Sequence, residues 1–317
     1  MSAILVLAAV WVFLNKQYVL DQLSVWSYEP SQQVATINDR VQFTDKGRFV
    51  FYATSPKVAS PEDFNKQCPR QEPGSPILGC YTNDDHIYIY DLSNEKLDGM
   101  EEVTAAHEML HAVWYRTSEA DKESLSAQLR EAYEKLDNPE LKTRMDYYQR
   151  TEPGEFTNEL HSILGTEVSS LGEPLETYFN QYFNRETVLK LHEQYNGVYK
   201  QLYDRADELY SKMESLSVTI QSRSRNYDLA VAQLSADISS FNRRANANGF
   251  STQSQFNNER SALVARTSRL ETERNAINAD ITQYNTYYNE YQDISKQIEV
   301  LNNSIDSFKQ IDQAPSV

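Results

Sequence analysis

The chain has 317 residues, a formal net charge of −16 and only 9 glycines. Its length is sufficient for one sizeable globular domain together with an extended part. The negative charge argues against a nucleic-acid-binding protein, because phosphate backbones are bound by clustered lysine and arginine side chains, and the sequence contains no such cluster.

The chain begins with a strongly apolar segment. Residues 3–14 are uninterrupted apolar side chains, whereas a transmembrane helix needs about 20. The segment lacks the basic start and the small-residue cleavage site of a signal peptide. It is therefore part of a longer transmembrane helix, an uncleaved signal anchor, or a buried helix of a soluble protein. The first two interpretations predict a membrane anchor within residues 1–26, with the following domains on the extracytoplasmic side.

A helix, two strands and a cysteine-containing loop are predicted next. Pro30–Arg40 should form a short helix. After a turn, Arg48–Thr54 is rich in aromatic and β-branched residues and should form a strand, and His86–Leu92 alternates as a half-buried strand does. Between the strands, Cys68 and Cys80 flank a loop rich in proline and glycine. They are placed to form a disulfide, which would persist in an oxidising compartment, and two free thiols are the alternative.

The sequence His-Glu-x-x-His occurs within a predicted helix over residues 103–114. Because residues four apart lie on one face of a helix, His107 and His111 can direct both imidazoles at one metal ion. Glu108 is one position further round the helix and would lie beside the metal, where it can take a proton from water. An apolar stripe at positions 103, 106, 110, 113 and 114 should bury one face of this helix. The alternative is a surface helix with two solvated histidines.

Residues 104–113 resemble the active-site helix of the zincin metallopeptidases. The resemblance implies a zinc ion held by His107 and His111, with Glu108 as the general base. In zincins, an edge strand of a small sheet lines the cleft and holds an extended peptide by strand addition. The resemblance therefore implies such a strand in this chain and a peptide or protein as substrate.

The remaining helices of this domain follow from capping residues and apolar spacing. Asp98 and Glu101 should form a capping box ahead of the His-Glu-x-x-His helix, and Ser118 should begin the next helix. Helices are predicted over residues 119–136, from 139 to about 150 and from Pro153 to Glu167, followed by an aromatic core segment at 175–183.

A catalytic zinc takes three protein ligands and leaves one position open, so a third ligand must come from another element. The candidates on the helix after Pro153 are Glu155, Glu159, His161 and Glu167. Residues 158–162 resemble the Asn-Glu-x-x-Ser part of the gluzincin motif, which implies that Glu159 is the third ligand. Thermolysin-like gluzincins continue with an aspartate that supports the first histidine. Ile163 stands at that position, so the surroundings of the ligands must be built differently.

The sequence also suggests residues that could stabilise a developing oxyanion, a role usually taken by a tyrosine, histidine or arginine opposite the metal. The candidates are Tyr147, Tyr148, Arg150 and His161. His161 could instead donate a hydrogen bond behind the ligands, contact substrate, or be a surface histidine.

Two long helices are predicted after residue 186. Apolar residues recur at intervals of three and four on both sides of a turn near residues 246–252, as in a coiled coil. Two such helices joined by one short turn predict an antiparallel hairpin over residues 187–312, with a frayed end at 313–317. A homo-oligomer, or a protein partner bound through the coiled coil, is the alternative, and the hairpin would serve as a spacer, a clamp or an oligomerisation arm.

These features together predict an α+β fold. Residues 27–186 should form a small zincin-like domain, with a short β-sheet, the His-Glu-x-x-His helix and a helical subdomain, and the hairpin should follow. As a whole, the chain resembles bacterial membrane-anchored proteins that combine a zincin-like domain with a helical hairpin. The predicted function is a zinc metallopeptidase at the extracytoplasmic face of a membrane.

Two other hypotheses about function remain. The chain could be a coiled-coil adhesive or scaffolding protein whose zincin-like domain holds a structural or inactive metal site. Alternatively, the hairpin could cover the cleft of a peptidase until a partner removes it.

Overall fold

The structure is a computed structural model that describes residues 2–69, 76–151 and 154–309. The chain forms two compact units, one made of Met1–Tyr199 with Val300–Val317 and the other of Lys200–Glu299. The frayed end predicted at 313–317, the middle of the cysteine loop at 70–75 and the predicted helix start at Pro153 lie outside the described residues.

The first unit is helical, so the predicted α+β fold is wrong. The strands among its described residues are three in number, of three or four residues each, and they form one small sheet beside many helices. The helices are α1 (Ser2–Leu14), α2 (Lys16–Ser27), α3 (Gln32–Val41), α4 (Asp45–Ala53), α5 (Pro61–Gln67), α6 (Met100–Arg116), α7 (Glu119–Lys135), α8 (Pro139–Thr151), α9 (Phe156–Glu167), α10 (Glu173–Phe179) and the first turns of α11 (Arg185–Asn246).

The sheet has the strand order β1-β3-β2, so β2 lies at an edge. The strands are β1 (Lys57–Ala59), β2 (Gly79–Tyr81) and β3 (Ile87–Tyr90). β1 runs parallel to β3, and β2 runs antiparallel to it. β3 confirms the strand predicted over residues 86–92, whereas β1 and β2 were not predicted, because each is only three residues long and has no alternating pattern.

The strand predicted at Arg48–Thr54 is wrong, since these residues belong mostly to α4. The predicted turn before it is the first turn of this helix: the side chain of Thr44 accepts a hydrogen bond from the backbone N–H of Gly47 at 3.1 Å. A Cβ on Gly47 would lie 1.8 Å from the carbonyl oxygen of Tyr182. The helix can therefore pack tightly against this backbone and bury Phe51 completely. Burial in the core outweighs the β-propensity of the aromatic residues, which is a weak preference.

Helix α6 runs through the core of the first unit and packs most extensively on α9. The predicted apolar stripe is confirmed at four of its five positions: Val103, Ala106, Leu110 and Val113 are each less than 5% exposed, and Trp114 is half-buried.

The predicted capping box at the start of α6 is wrong. The N-cap is Gly99, whose φ of +95° suits glycine. Asp98 instead pairs with Arg40, with Oδ1 2.7 Å from Nη1, and Glu101 accepts a hydrogen bond from the backbone N–H of Leu92 at 2.6 Å.

A buried arginine joins three helices behind α6. Arg185, at the start of α11, is 2% exposed. Its guanidinium donates to Oε2 of Glu176 in α10 at 2.5 Å and to the carbonyl oxygens of Leu164 and Val168 at the end of α9. These bonds satisfy a buried charge and hold the C-terminal end of α9 in place.

The two N-terminal helices expose apolar side chains. In α1, Phe13 and Leu14 are 79% and 74% exposed, and in α2 Trp26 is 75% exposed. No single helix in the described part of the chain is long and apolar enough to cross a membrane, although α1 from Ile4 and α2 together pass that test with an 84° bend between them.

The inner side of α2 is polar and contacts the end of α6. Asp21 is 4% exposed, and its Oδ1 lies 2.7 Å from Nη2 of Arg116. The same arginine pairs with Asp85, in the turn between β2 and β3. Arg116 therefore joins α2, α6 and the sheet.

The second unit is an antiparallel hairpin of α11 and α12 (Gln253–Ile305), with the turn where the sequence predicts it. Interhelical ion pairs show that the two helices are antiparallel. Going up α11, each successive arginine pairs with a carboxylate nearer the start of α12. The pairs join Arg205 to Glu290, Arg223 to Glu273 and Arg244 to Glu259. The buried seam between the two helices includes Leu209, Met213, Leu234, Phe241, Ile277 and Ile294.

Candidate metal centre

Three side chains with metal-binding atoms converge between α6 and α9. One ligand atom from each of His107, His111 and Glu159 lies within 4.8 Å of the others, and the described part of the chain contains no second group of this kind. Glu159 Oε1 lies 3.4 Å from Nε2 of His111, and Oε2 lies 3.7 Å from Nε2 of His107.

This spacing suits a zinc ion. Zinc is typically tetrahedral with bonds of about 2.0–2.1 Å to imidazole nitrogen and carboxylate oxygen, which separates neighbouring donor atoms by about 3.4 Å. The distances of 3.4 Å from Oε1 to His111 and 3.7 Å from Oε2 to His107 are close to that value, each from one oxygen of the carboxylate. Two imidazoles and one carboxylate are also a ligand set found in catalytic zinc sites.

The close packing of α9 on α6 brings Glu159 to the histidines. A Cβ on Gly165 would lie 2.5 Å from Cδ1 of Leu110, so only glycine allows this approach. Glu159 lies in the first turn of α9, where the helix dipole stabilises a negative charge. Its pKa is lowered: burial acts in the opposite direction, but the charges of His111 and His107 favour the ionised form.

The ring of His111 is held from behind by the helix that carries Glu159. Asn158 Oδ1 lies 2.9 Å from His111 Nδ1, and Ser162 Oγ lies 3.4 Å from the same nitrogen. Ile163, at the position where thermolysin-like gluzincins have an aspartate, is buried in the core at 1% exposure. In this chain the polar groups that hold a ligand from behind are therefore Asn158 and Ser162, and the ligand that they hold is the second histidine, His111.

Glu108 is buried beside this group, under the edge strand. It is 7% exposed, and a Cβ on Gly79 in β2 would lie 2.8 Å from its Oε1. Burial raises the pKa of Glu108, while the charges of the two histidines and a backbone hydrogen bond from Tyr81 oppose the rise.

The three residues and Glu108 line an open cavity of about 1310 Å³. Its walls are α6, β2 with the residues before it, α8, α9 and the first turns of α11. Among the described strands β2 pairs with β3 alone, and all three of its residues line the cavity.

Comparisons with known protein families, with curated proteins and with solved structures found no match for this chain. Its function is therefore argued from the geometry and chemistry of the site.

Two of the suggested oxyanion stabilisers line the cavity, Tyr147 and Tyr148. Of the two, Tyr148 is the one whose hydroxyl feels the charges of the metal-binding group. Burial raises the pKa of its hydroxyl, and the negative charges of Glu159 and Glu108 raise it further, so the hydroxyl remains a proton donor. Arg150 is not among the described residues that line the cavity.

His161 lies in the core and not in the cavity. It is fully buried, with Nε2 2.9 Å from the hydroxyl of Tyr178 and its ring against Trp114 and Phe179. Burial lowers its pKa to about 3, so the ring is neutral. The structure therefore does not bring His161 to the metal-binding group, and it is not a surface histidine.

Sequence reasoning missed a second polar group in the same cavity. Arg144 Nη2 donates to Oε1 of Glu167 at 2.8 Å, and Oε2 of Glu167 lies 3.8 Å from Nε2 of His192. Glu167 is thus engaged away from the three ligand atoms. The other candidate ligand, Glu155, accepts a hydrogen bond from Nδ2 of Asn158. The only sequence signal for Arg144 is its place one helical turn before Tyr148.

The two cysteines form a disulfide, with Cα atoms 5.8 Å apart. Cys80 is the middle residue of β2, so the bond ties the edge strand to the end of α5.

Proposed function

We propose that the protein is a zinc-dependent peptidase. The proposal rests chiefly on the convergence of His107, His111 and Glu159 in a cavity that also contains the buried carboxylate of Glu108. These are the two functions that metal-assisted hydrolysis needs, a three-ligand site and an adjacent base.

When bound, zinc would supply Lewis-acid chemistry, polarising a carbonyl group and making water more acidic. Glu108 takes the proton from the attacking water. A C–O bond forms at the peptide carbonyl carbon, the C–N bond breaks, and Glu108 returns the proton to the leaving nitrogen. Tyr148 donates a hydrogen bond to the oxygen that becomes negative.

The substrate is a peptide in extended conformation. It pairs with the outer edge of β2, where backbone N–H and C=O groups hold it irrespective of its sequence. Because Gly79 lies directly over Glu108, this pairing places the substrate backbone next to the base.

The peptidase is anchored to a membrane and works outside the cytoplasm. The exposed apolar side chains of α1 support the anchor, since such surfaces are stable when covered by lipid. The disulfide between Cys68 and Cys80 supports the compartment, because disulfides persist where the environment is oxidising.

Metal content tests the site. We expect about one zinc per chain in the wild type after loading and dialysis, and a much weaker site in Glu159→Ala. Glu140→Ala is the matched control, since Glu140 is an exposed glutamate in the same cavity wall. Zinc retained in Glu159→Ala would move the third ligand elsewhere. If neither protein binds zinc, the proposal that this is a zinc enzyme is wrong, and the coiled-coil hairpin is left as the functional part.

Substitution of the base tests the chemistry. Glu108→Gln keeps the size of the side chain but cannot accept the proton. We expect it to retain zinc and to lose at least about 100-fold in peptide hydrolysis. A scaffolding protein with a structural zinc would instead show no hydrolysis in the wild type and no change in the variant.

A further inference from the structure

Arg144 has hydrogen-bond donors to spare at the cavity. A guanidinium carries five N–H donors in a planar fork. Among the described residues, Arg144 makes one hydrogen bond, from Nη2 to Glu167 at 2.8 Å. Its Nε is buried, and among the described residues no group accepts a hydrogen bond from it. The Arg144 side chain as a whole is 40% exposed and lines the cavity, so the rest of its guanidinium can be reached by a ligand there.

The position of Arg144 suits contact with a bound peptide. It is the only arginine among the described residues that line the cavity. Its partner Glu167 lies eight residues after Glu159 on α9, which corresponds to about 12 Å along the helix. An extended peptide advances about 3.3 Å per residue, so this distance corresponds to about three to four residues of substrate.

The Glu167 carboxylate leaves part of the arginine fork available. One of its oxygens accepts a hydrogen bond from Arg144 and the other faces His192. Glu167 therefore does not bind the guanidinium with both oxygens. Arginine commonly binds a carboxylate through two parallel hydrogen bonds, which gives both strength and geometric selectivity.

We propose that Arg144 binds a carboxylate of the peptide substrate, about three to four residues from the bond that is cut. The carboxylate is either the C-terminus of the peptide or an aspartate or glutamate side chain. The inference rests on the proposed peptidase function and adds a preference for substrates that carry a negative charge at this distance. Arg144 is a specificity residue and takes no part in the proton transfers.

The first experiment uses a proteome-derived peptide library and the full-length, zinc-loaded protein. We expect the wild type to cut where a carboxylate lies about three to four residues from the new terminus, and Arg144→Gln to lose this preference. Arg150→Gln is the matched control, because Arg150 is an exposed arginine on the same helix that does not line the cavity. Cleavage without any carboxylate preference would overturn the inference and leave the peptidase intact. No cleavage at all would contradict the proposed function itself.

The second experiment measures binding without turnover. A peptide from the library is synthesised with a free C-terminus, with a C-terminal amide, and with glutamate replaced by glutamine. Binding to zinc-loaded Glu108→Gln is measured by calorimetry. We expect removal of the relevant carboxylate to weaken binding about 10- to 100-fold, and the same loss when Arg144→Gln is added. Weaker binding of the C-terminal amide would identify the C-terminus as the bound carboxylate. Weaker binding of the peptide with glutamine would identify the glutamate side chain. Equal binding of all three peptides would indicate that Arg144 contacts a backbone carbonyl, and would overturn the inference.

A structural role for the Arg144–Glu167 pair predicts a different result. If the pair only supports the fold, Arg144→Gln and Glu167→Gln should lower peptide binding and thermal stability alike. If Arg144 binds substrate, Glu167→Gln removes the competing carboxylate and should preserve or strengthen binding of the acidic peptide. Arg144→Lys keeps the charge and should show an intermediate loss, which covers the case in which Arg144→Gln fails to fold.

Discussion

Asn158 accepts a hydrogen bond from the ring N–H of His111, with Oδ1 2.9 Å from Nδ1. The amide orientation follows from its other end, where Nδ2 faces Oε2 of Glu155 at 2.9 Å. A carboxylate can only accept, so the NH₂ group must face Glu155 and the oxygen must face His111. Nδ1 is thus engaged with Asn158, and Nε2, which faces Glu159, is the nitrogen left to bind a metal ion.

Removing this acceptor should weaken zinc binding. We expect Asn158→Ala to lower zinc affinity about 10- to 100-fold, as is typical when a group that orients a ligating histidine is lost. Competition with a chromophoric chelator measures the change. Asn196→Ala is the control, because Asn196 is an exposed residue of the same cavity wall. Equal affinities for both variants would show that His111 needs no such support.

A side chain at Gly79 should impair hydrolysis more than zinc binding. The added Cβ would lie 2.6 Å from Cγ2 of Thr104 and 2.7 Å from Cγ of Glu108, so the strand or the base must move. We expect Gly79→Ala to lower kcat about 100-fold, a usual effect of a displacement of about 1 Å at a reacting group. The zinc content should not change.

Gly197→Ala is the control for this substitution. Apart from its chain neighbours and the adjacent backbone of its own helix, no atom of the described residues lies within 4 Å of the position that its Cβ would take. Hydrolysis by Gly79→Ala at the wild-type rate would show that β2 does not position the base.

Loss of Arg185 should destabilise the first unit. Arg185→Ala leaves Glu176 and two carbonyl groups at the end of α9 without their donor. We expect the free energy of unfolding to fall by about 3–5 kcal/mol, the usual range for breaking a buried ion pair. Urea denaturation measures it. Lys190→Ala, which breaks an exposed pair with Glu186 on the same helix, should leave it almost unchanged.

Glu101 should make stability depend on pH. Burial raises the pKa of this carboxyl to about 7, even though it accepts a hydrogen bond from the backbone of Leu92. Between the ordinary glutamate pKa of about 4.3 and this value, the folded chain binds more protons than the unfolded chain. The contribution of Glu101 to stability is therefore greatest in acid and is lost as the pH rises towards 7.

The measurement is urea denaturation at pH 5 and pH 7.5. After allowance for partial solvent screening, we expect this residue to account for about 1–2 kcal/mol of the difference. Glu101→Gln resembles the protonated form and should remove that part. Glu95→Gln, at an exposed position nearby, should not. A pH dependence unchanged in Glu101→Gln would contradict the assignment.

The parts of the site that the sequence predicts are those encoded by local spacing. His107, Glu108 and His111 are set by one helix, and helical periodicity requires no knowledge of the rest of the chain. Glu159 is 48 residues after His111, and only the resemblance of residues 158–162 to the gluzincin motif singled it out.

The features that the sequence does not predict depend on tertiary packing. Residues 48–54 have the composition of a strand, yet the close approach of Gly47 to Tyr182 makes a buried helix the better solution. The edge strand β2 is too short to show a pattern, and its conformation depends on pairing with β3. Arg144 belongs to the cavity only because α8 and α9 lie side by side, a relationship that no local signal encodes.

The disulfide between Cys68 and Cys80 can form only after the chain reaches an oxidising environment. Cys80 is the neighbour of Gly79 in β2, and the bond closes a loop with a sequence separation of 12. In a chain that has just been synthesised in a reducing cytoplasm, both thiols are free and the edge strand lacks this tether. If the protein is the exported peptidase proposed above, β2 is tethered only after export, and the enzyme is least active among the proteins of the cell that makes it. The timing of oxidation would then protect that cell from its own enzyme.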